Sequence, residues 1–322
     1  MRLLSLVALL AFLCSAVAAG PAERAGETRQ AQSQRAKPAT QRQAAPQRRS
    51  PPPAVNLANL PADPARLGLQ SSSLMVFDLD DDSVVLQRKS SELNSIASVT
   101  KLMTAMVTLD AKLPLAEMLS IESADVDRFK GTHSRLTVGT RLSRRDLLRL
   151  ALMSSENRAA AALGRTYPGG MTKFVEAMNV KATTLGMARS RFADPAGLQP
   201  GNVSTAQDLV RMVRSAAGYP LIREFTTSNG QQVRVRGARQ PMEFNNTNRL
   251  VRYPTREWKI ALSKTGYTSE AGRCLVMQAT VANRPLVMVL LDGSGKFTPI
   301  GDANRIRRWL EARSARSGIA SK

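Results

Sequence analysis

Histidine is almost missing from this chain: His133 is the single one. That argues against a zinc hydrolase, whose metal usually takes two or more imidazoles, and no metal site is expected. A Ser-His-Asp triad would have to use His133, in the loop Gly131-Thr132-His133-Ser134, with no Gly-x-Ser-x-Gly elbow beside it. His133 therefore reads as a loop residue. Cysteine is scarce too, with only Cys14 and Cys274. No apolar run is long enough to span a bilayer comfortably; the nearest, residues 3–13, is followed by small residues. Met1-Arg2, that run and Ala16-Val17-Ala18 together read as a signal peptide, residues 1–19, cleaved near Ala18-Ala19. Export to the periplasm is expected, with no integral membrane anchor. Lipidation at Cys14 is disfavoured by bulky Leu13 before it. After cleavage Cys274 is alone, so no intramolecular disulfide can form and the core must stand on packing. Cys274 falls in a strand-like run and reads as a core residue.

Acidic residues are also few: 25 against 46 Lys and Arg, for a net charge of +21. Such a balance favours polyanions. Export argues against nucleic acid, and aromatics make up only 4% of the chain, with none of the basic-aromatic alternation that strand stacking needs. An anionic membrane or an acidic polymer such as a cell wall remains, with wall affinity set evenly against a merely solvated basic surface. Large apolar residues are sparse across residues 20–68, which are rich in Pro, Ala, Gln and Arg, as in Gln47-Arg48-Arg49-Ser50-Pro51-Pro52-Pro53. That stretch reads as a disordered basic linker, able to reach along an anionic surface or to act as a plain tether.

What is present begins near Leu69. Residues 72–79 and 83–89 read as strands joined at Asp80-Asp81-Asp82. A helix follows from Ser98, and residues 111–142 are loop-rich. Ser143-Arg144-Arg145-Asp146 resembles a capping box before a helix over 147–153. Ser154-Ser155-Glu156-Asn157 interrupts it, and helix resumes over 159–163. Further helices are expected over 171–185, closed by Gly186, and from Ser204-Thr205 to Gly218. Strands are expected over 232–236, 259–263, 273–282 and 286–292, the last two joined at Asn283-Arg284-Pro285. Asp302 should cap a final helix ending near Ala312, before a polar tail, 313–322. Strands, then helices, then strands again predict an α+β fold: an antiparallel sheet flanked by helices, with an inserted helical region.

The chemistry starts at Ser98-Val99-Thr100-Lys101. Three residues are close to one helical turn, so hydroxyl and amine would share a face. A serine opening a helix would lie near free backbone N–H groups that suit a developing oxyanion. Ser-x-x-Lys alone is weak, since roughly one chance match is expected at this length. Two more patterns follow: Ser155-Glu156-Asn157 at a helix break, and Lys264-Thr265-Gly266 at a strand end, where glycine lets a substrate backbone come close. In the order Ser-x-x-Lys, Ser-x-Asn, Lys-Thr-Gly they match the set of penicillin-recognising acyl-enzymes, with Glu156 in place of Asp.

On these motifs the chain, over residues 69–312, resembles the low-molecular-mass penicillin-binding proteins, the serine D-alanyl-D-alanine peptidases, and within them the D,D-endopeptidase type. Ile96-Ala97-Ser98, Leu150-Ala151-Leu152-Met153-Ser154, Arg191-Phe192-Ala193-Asp194-Pro195-Ala196-Gly197-Leu198 and Asn245-Asn246-Thr247-Asn248 share the likeness. The resemblance implies the fold of serine β-lactamases and penicillin-binding protein transpeptidases. It implies that Ser98 attacks the D-Ala carbonyl and is acylated, and that Lys101 takes its proton. Such a lysine needs a depressed pKa, from burial and nearby positive charge that Lys264 could supply. Ser155 would relay the proton to the leaving amine, and Asn157 would hold Lys101 and the substrate amide. Thr265 would bind the leaving-side carboxylate, beside Lys264 and Gly266; Arg273 reads as a surface arginine, with carboxylate binding as the alternative. The N–H groups of Ser98 and Tyr267 would form the oxyanion hole. Peptidoglycan stem peptides and β-lactams are the implied ligands, and no cofactor is implied.

A β-lactamase would share the motifs but needs a glutamate that positions water for deacylation. Glu176-Ala177-Met178-Asn179 is the nearest candidate, and it falls on a periodic helix as a solvated face. A long-lived penicilloyl adduct is expected instead. Longer carboxypeptidases of this family carry an extra β-domain and an amphipathic anchor; the 56 residues after Gly266 are enough for two strands and a helix, and the tail has no apolar stripe, which favours the endopeptidase. D-Ala-D-Ala carboxypeptidase activity, and a catalytically silent peptidoglycan-binding protein, are the alternatives.

Overall fold

The computed structural model describes residues 64–320. The expected signal peptide with Cys14, the linker up to residue 63 and the last two residues lie outside the described residues.

A five-stranded antiparallel sheet carries the fold. Its strands are β1 (Ser71–Asp78), β2 (Ser83–Arg88), β3 (Lys259–Thr268), β4 (Gly272–Val281) and β5 (Arg284–Gly293), in the order β2-β1-β5-β4-β3. The early hairpin thus meets the late strands through β1 and β5, paired from Ser71↔Gly293 to Asp78↔Leu286. Successive side chains point to opposite faces. On one face Leu74, Val76, Leu275, Met277, Leu286, Met288 and Leu290 form a core with Ala303, Ile306 and Leu310 of the last helix. On the other, Met75, Cys274, Val276, Val287, Val289 and Leu291 join a larger core with the helical region. Both faces are covered, which is why β5 reads as the unbroken apolar run Leu286-Val287-Met288-Val289-Leu290-Leu291.

The helical region is built around α1 (Lys101–Asp110), in which every residue from Lys101 to Thr108 is buried. A helix apolar on all sides belongs inside others. Around it lie α2 (Arg144–Met153), α3 (Asn157–Arg165), α4 (Gly170–Thr184), α5 (Ala206–Ala216) and α6 (Pro220–Thr227). The Ser143 hydroxyl accepts from Asp146 N and opens α2, and Thr205 does the same for α5 with Asp208 N. Gly186, at φ +70°, follows the end of α4. A one-turn helix, α7 (Arg249–Arg252), precedes β3, and α8 (Thr298–Ala320) closes the chain.

Several boundaries differ from the sequence reading. A 3-10 turn, Pro64–Leu67, occupies the end of the expected linker, and Leu67 packs on the smaller core. The strand expected over 232–236 is Gly230–Val233, paired with an unforeseen strand Met242–Asn245. Helix α6 was also unforeseen, although Pro220 in its first turn is a start signal. Helix α8 continues through Ala320, so the expected polar tail is largely helical.

Asp302 does not cap α8, which starts four residues earlier at Thr298. It lies fully buried within α8 and accepts hydrogen bonds from Gln70 N, Ser71 N and Ser71 Oγ, the last two at 2.7 Å. Arg305 pairs with it at 2.8 Å. This carboxylate fastens the first strand to the last helix. Asp302→Asn keeps the shape but loses the charge and turns one acceptor into a donor. Unfolding by denaturant should show a loss of about 2–3 kcal/mol, the scale of charged hydrogen bonds left unmatched in a buried site.

Candidate active site

Ser98 sits in a 3-10 turn, Ala97–Thr100, that runs straight into α1. Ser98 is therefore not a cap but the residue one turn before Lys101. Ala97 holds φ +45°, a costly conformation for a residue with a side chain. Two glycines pack against this turn. A Cβ on Gly197 would lie 1.9 Å from Ala97 O, and one on Gly266 would lie 2.9 Å from Ile96 O and 3.2 Å from Ser98 N. Only the absence of side chains there lets the turn and β3 come so close.

Lys101 has no exposed surface. Its amine donates to Ser98 Oγ, Asn157 Oδ1 and Ala196 O, each at 2.7 Å. Burial lowers its pKa to about 7, while Asp194 and Glu156 pull the other way. Of the two expected causes, burial is the leading one, and the neighbouring charges that act on it are those of Asp194 and Glu156 rather than Lys264. Asp194 also shapes the loop that supplies the Ala196 carbonyl. Its carboxylate accepts from the N–H groups of Ala196, Gly197, Leu198 and Gln199, and from Asn202 Nδ2.

The opposite wall comes from the break between α2 and α3. Ser155 holds φ +62° there, and Asn157 is the first residue of α3. Asn157 Nδ2 donates to Thr132 Oγ1 at 2.9 Å, which fixes its Oδ1 towards Lys101. Glu156 is buried and accepts from Ser134 Oγ at 2.7 Å, so it anchors the neighbouring loop. His133, beside it, is exposed.

Strand β3 forms the third side. Lys264-Thr265-Gly266 lies within the strand, not at its end, with Gly266 opposite Cys274 of β4. Glycine inside a strand marks a close approach, here by the Ser98 turn. Lys264 is buried and donates to Ser155 Oγ at 3.0 Å and Thr265 O at 2.9 Å. Burial, and then the nearby Lys101 charge, push its pKa well below the lysine range. Thr265 Oγ1 donates to Thr247 Oγ1 at 2.6 Å. Tyr267 is exposed, with the Arg273 guanidinium 3.6 Å from its ring centroid.

Ser98, Ser155, Asn157, Thr265, Gly266 and Tyr267 all line one cavity of about 470 Å³, with Lys101 and Lys264 buried beside it. All eight residues singled out from the sequence come together. Sequence reasoning left Thr132, Asp194, Ala196, Gly197 and Thr247 without roles. The last four fall in stretches flagged only by likeness, Arg191-to-Leu198 and Asn245-to-Asn248; no spacing rule assigns a backbone carbonyl or a second threonine. Glu176 is exposed on α4 and pairs with Lys173 at 2.7 Å, on a solvated face as expected. Cys274 is buried and its thiol is pushed up to about 12 by burial. Thiol reagents should leave Cys274 unmodified in the native protein and modify it on unfolding, as mass spectrometry of the labelled peptide would show.

Residues 60–295 match the family described as D-alanyl-D-alanine carboxypeptidase. The chain belongs to that family. It is a serine-type D,D-peptidase, a hydrolase with the penicillin-binding-protein fold that the motifs implied. A D-alanyl-D-alanine endopeptidase of Pseudomonas aeruginosa is 47% identical over 81% of this chain and 82% of its own length. One from Escherichia coli is 44% identical over 76% and 78%. Among solved structures, a Streptomyces DD-transpeptidase superposes with a TM-score of 0.69 at 25% identity, covering 76% of this chain and 98% of the other.

Proposed function

We propose that this family member is a D,D-endopeptidase that hydrolyses D-Ala bonds in peptidoglycan cross-links through an acyl-enzyme on Ser98. The observation that carries this reading is the set of three 2.7 Å contacts around Lys101 Nζ. Asn157 Oδ1 and Ala196 O can only accept. A neutral amine has two hydrogens and one lone pair. Its hydrogens go to those two oxygens, and the lone pair is left facing Ser98 Oγ. The Ser98 hydroxyl then donates its proton to Lys101 as its oxygen attacks the D-Ala carbonyl carbon. The backbone N–H groups of Ser98 and Tyr267 hold the oxyanion; β3 is an edge strand, with one side unpaired by the sheet. Collapse breaks the C–N bond. Ser155, hydrogen-bonded to Lys264, relays to the leaving amine the proton that Lys101 took from Ser98, and Thr265 binds the carboxylate on that side. Water then attacks the ester carbonyl and gives a proton to Lys101, which passes it to the departing Ser98 oxygen, so the acid product leaves and the serine hydroxyl is restored.

The relatives named endopeptidases support the cross-link as substrate over free D-Ala-D-Ala ends. They are 47% and 44% identical, whereas a Bacillus subtilis carboxypeptidase is 28% identical. Digestion of purified cross-linked muropeptide dimers decides it. Conversion to monomers is the expected outcome, and loss of terminal D-Ala alone overturns the reading. Failure of a labelled penicillin to modify Ser98 would favour the silent wall-binding alternative. The proposal extends to residues 1–19 as the signal for periplasmic export and to residues 20–68 as a basic tether to the anionic wall. Their composition supports both. Removing residues 20–63 should weaken salt-sensitive binding to isolated wall while soluble dimers are still cleaved; unchanged binding would remove that role.

A further inference from the structure

The cleft holds more positive charge than acyl transfer uses. Arg249, Arg252, Arg273 and Lys296 line the cavity around Ser98, and no acidic residue lines it. Thr247, Arg249 and Arg252 also line a second cavity of about 550 Å³, again without an acid, which Arg135 joins. The two cavities meet at Thr247, whose hydroxyl is 2.6 Å from that of Thr265. The groove therefore leaves Ser98 on the Thr265 side, where the proposed mechanism places the leaving group.

Arg249 and Arg252 sit three apart on α7, held by Asn248, whose side chain accepts from Leu250 N. Neither they nor Lys296 forms an ion pair among the described residues. Aromatic rings hold them instead. The Arg249 guanidinium lies 5.2 Å from the Phe297 centroid, and Lys296 lies 5.6 Å from the same ring. Arg252 lies 5.3 Å from the ring of Tyr253. Rings orient a cation without neutralising it. Like charges gathered in a concave wall raise its potential and draw in an anion.

The geometry points to a leaving-side subsite, built on Arg249, Arg252 and Lys296, that selects cross-links whose released strand carries free carboxylates near the scissile amide. The inference rests on the endopeptidase reading. A carboxypeptidase releases free D-Ala, with one carboxylate that Thr265 can satisfy. An endopeptidase releases a diamino acid within a second stem, which keeps further carboxylates unless they are amidated. The surplus cations answer that second substrate.

Two synthetic dimers test this, identical except for a carboxylate or a carboxamide on the leaving-strand diamino acid. The wild-type chain should cleave the acid form with roughly tenfold higher kcat/KM at low salt, the scale of charge-assisted pairing. The gap should shrink as salt rises. Arg249→Gln with Arg252→Gln should bring the two rates together, and Lys296→Gln alone should narrow the gap in part. Equal wild-type rates, or a gap that survives the double variant, overturn the subsite. Penicillin labelling of the same preparation separates the two levels. Labelling with equal cleavage of both dimers defeats the subsite alone, whereas labelling with cleavage of neither defeats the endopeptidase reading and the subsite with it.

Discussion

Lys101→Met should lower the rate of Ser98 acylation by a labelled penicillin by roughly 10² to 10⁴-fold, the contribution of a positioned general base. Methionine matches the length of the lysine stem and can still fill the buried site inside the larger core. It has no lone pair of comparable basicity and cannot bond to Asn157 Oδ1 or Ala196 O. In the wild-type chain the same group should set the pH profile. Its pKa is lowered to about 7 by burial, and only the neutral amine can take the proton. Acylation should therefore rise with pH, half-complete near that value, and level off above it. The stability contribution has a definite sign. The folded amine gives up its proton more readily than the unfolded one, so the unfolded chain binds more protons between about pH 7 and the ordinary lysine value. Over that window stability gains from each rise in pH through this group, and below it the cost of burial is complete. Circular dichroism that shows Lys101→Met folded, together with an undiminished acylation rate, would remove Lys101 as the base.

Gly197→Ala should be nearly as damaging without touching a reacting group. Gly197 holds φ +78°, which costs an alanine about 1 kcal/mol. The added methyl would also fall 1.9 Å from Ala97 O and 2.4 Å from Ala97 C, both backbone atoms of the turn that carries Ser98. No flexible side chain can yield there. Either the Asp194 loop or the Ser98 turn must move, at about 1–3 kcal/mol for overpacking of this kind. Thermal unfolding should fall by several degrees and penicillin labelling should drop sharply. Gly237→Ala is the matched control: φ is +83°, but nothing lies within 4 Å of the added carbon. It should show the conformational cost with labelling retained. Equal labelling of the two variants would mean that the Gly197 contact does not position the turn.

The outline of this fold is legible in the chain because its signals are local. The apolar run of β5, the capping serine of α2 and the glycine after α4 each report on their own neighbourhood. The three motifs are legible for the same reason, since each is a short string of chemistry-bearing residues. The misplacements have a common origin in long-range contacts. Asp302 looks like a helix start until Ser71 is beside it, 231 residues away in sequence. Lys264-Thr265-Gly266 looks like the end of a strand because glycine and polar residues weaken strand propensity. In the fold, pairing with β4 carries the strand through to Thr268. The supporting groups of the site were invisible for a different reason. Ala196 acts through its carbonyl, which every residue type possesses, and Gly197 acts through what it lacks.

The pairing of β1 with β5 has a consequence for how the protein comes into being. The centre of the sheet joins Ser71 to Gly293, with the whole helical region threaded between them. A chain emerging N-terminus first cannot seal that seam until its last strand has arrived, and β3, with Lys264 and Thr265, arrives almost as late. Such topology makes for slow folding, because a long loop must close before its contacts reward it. Nascent Ser98 and Lys101 can lie one turn apart early on. The cleft that gives them a substrate is complete only when the two ends of the domain have found each other.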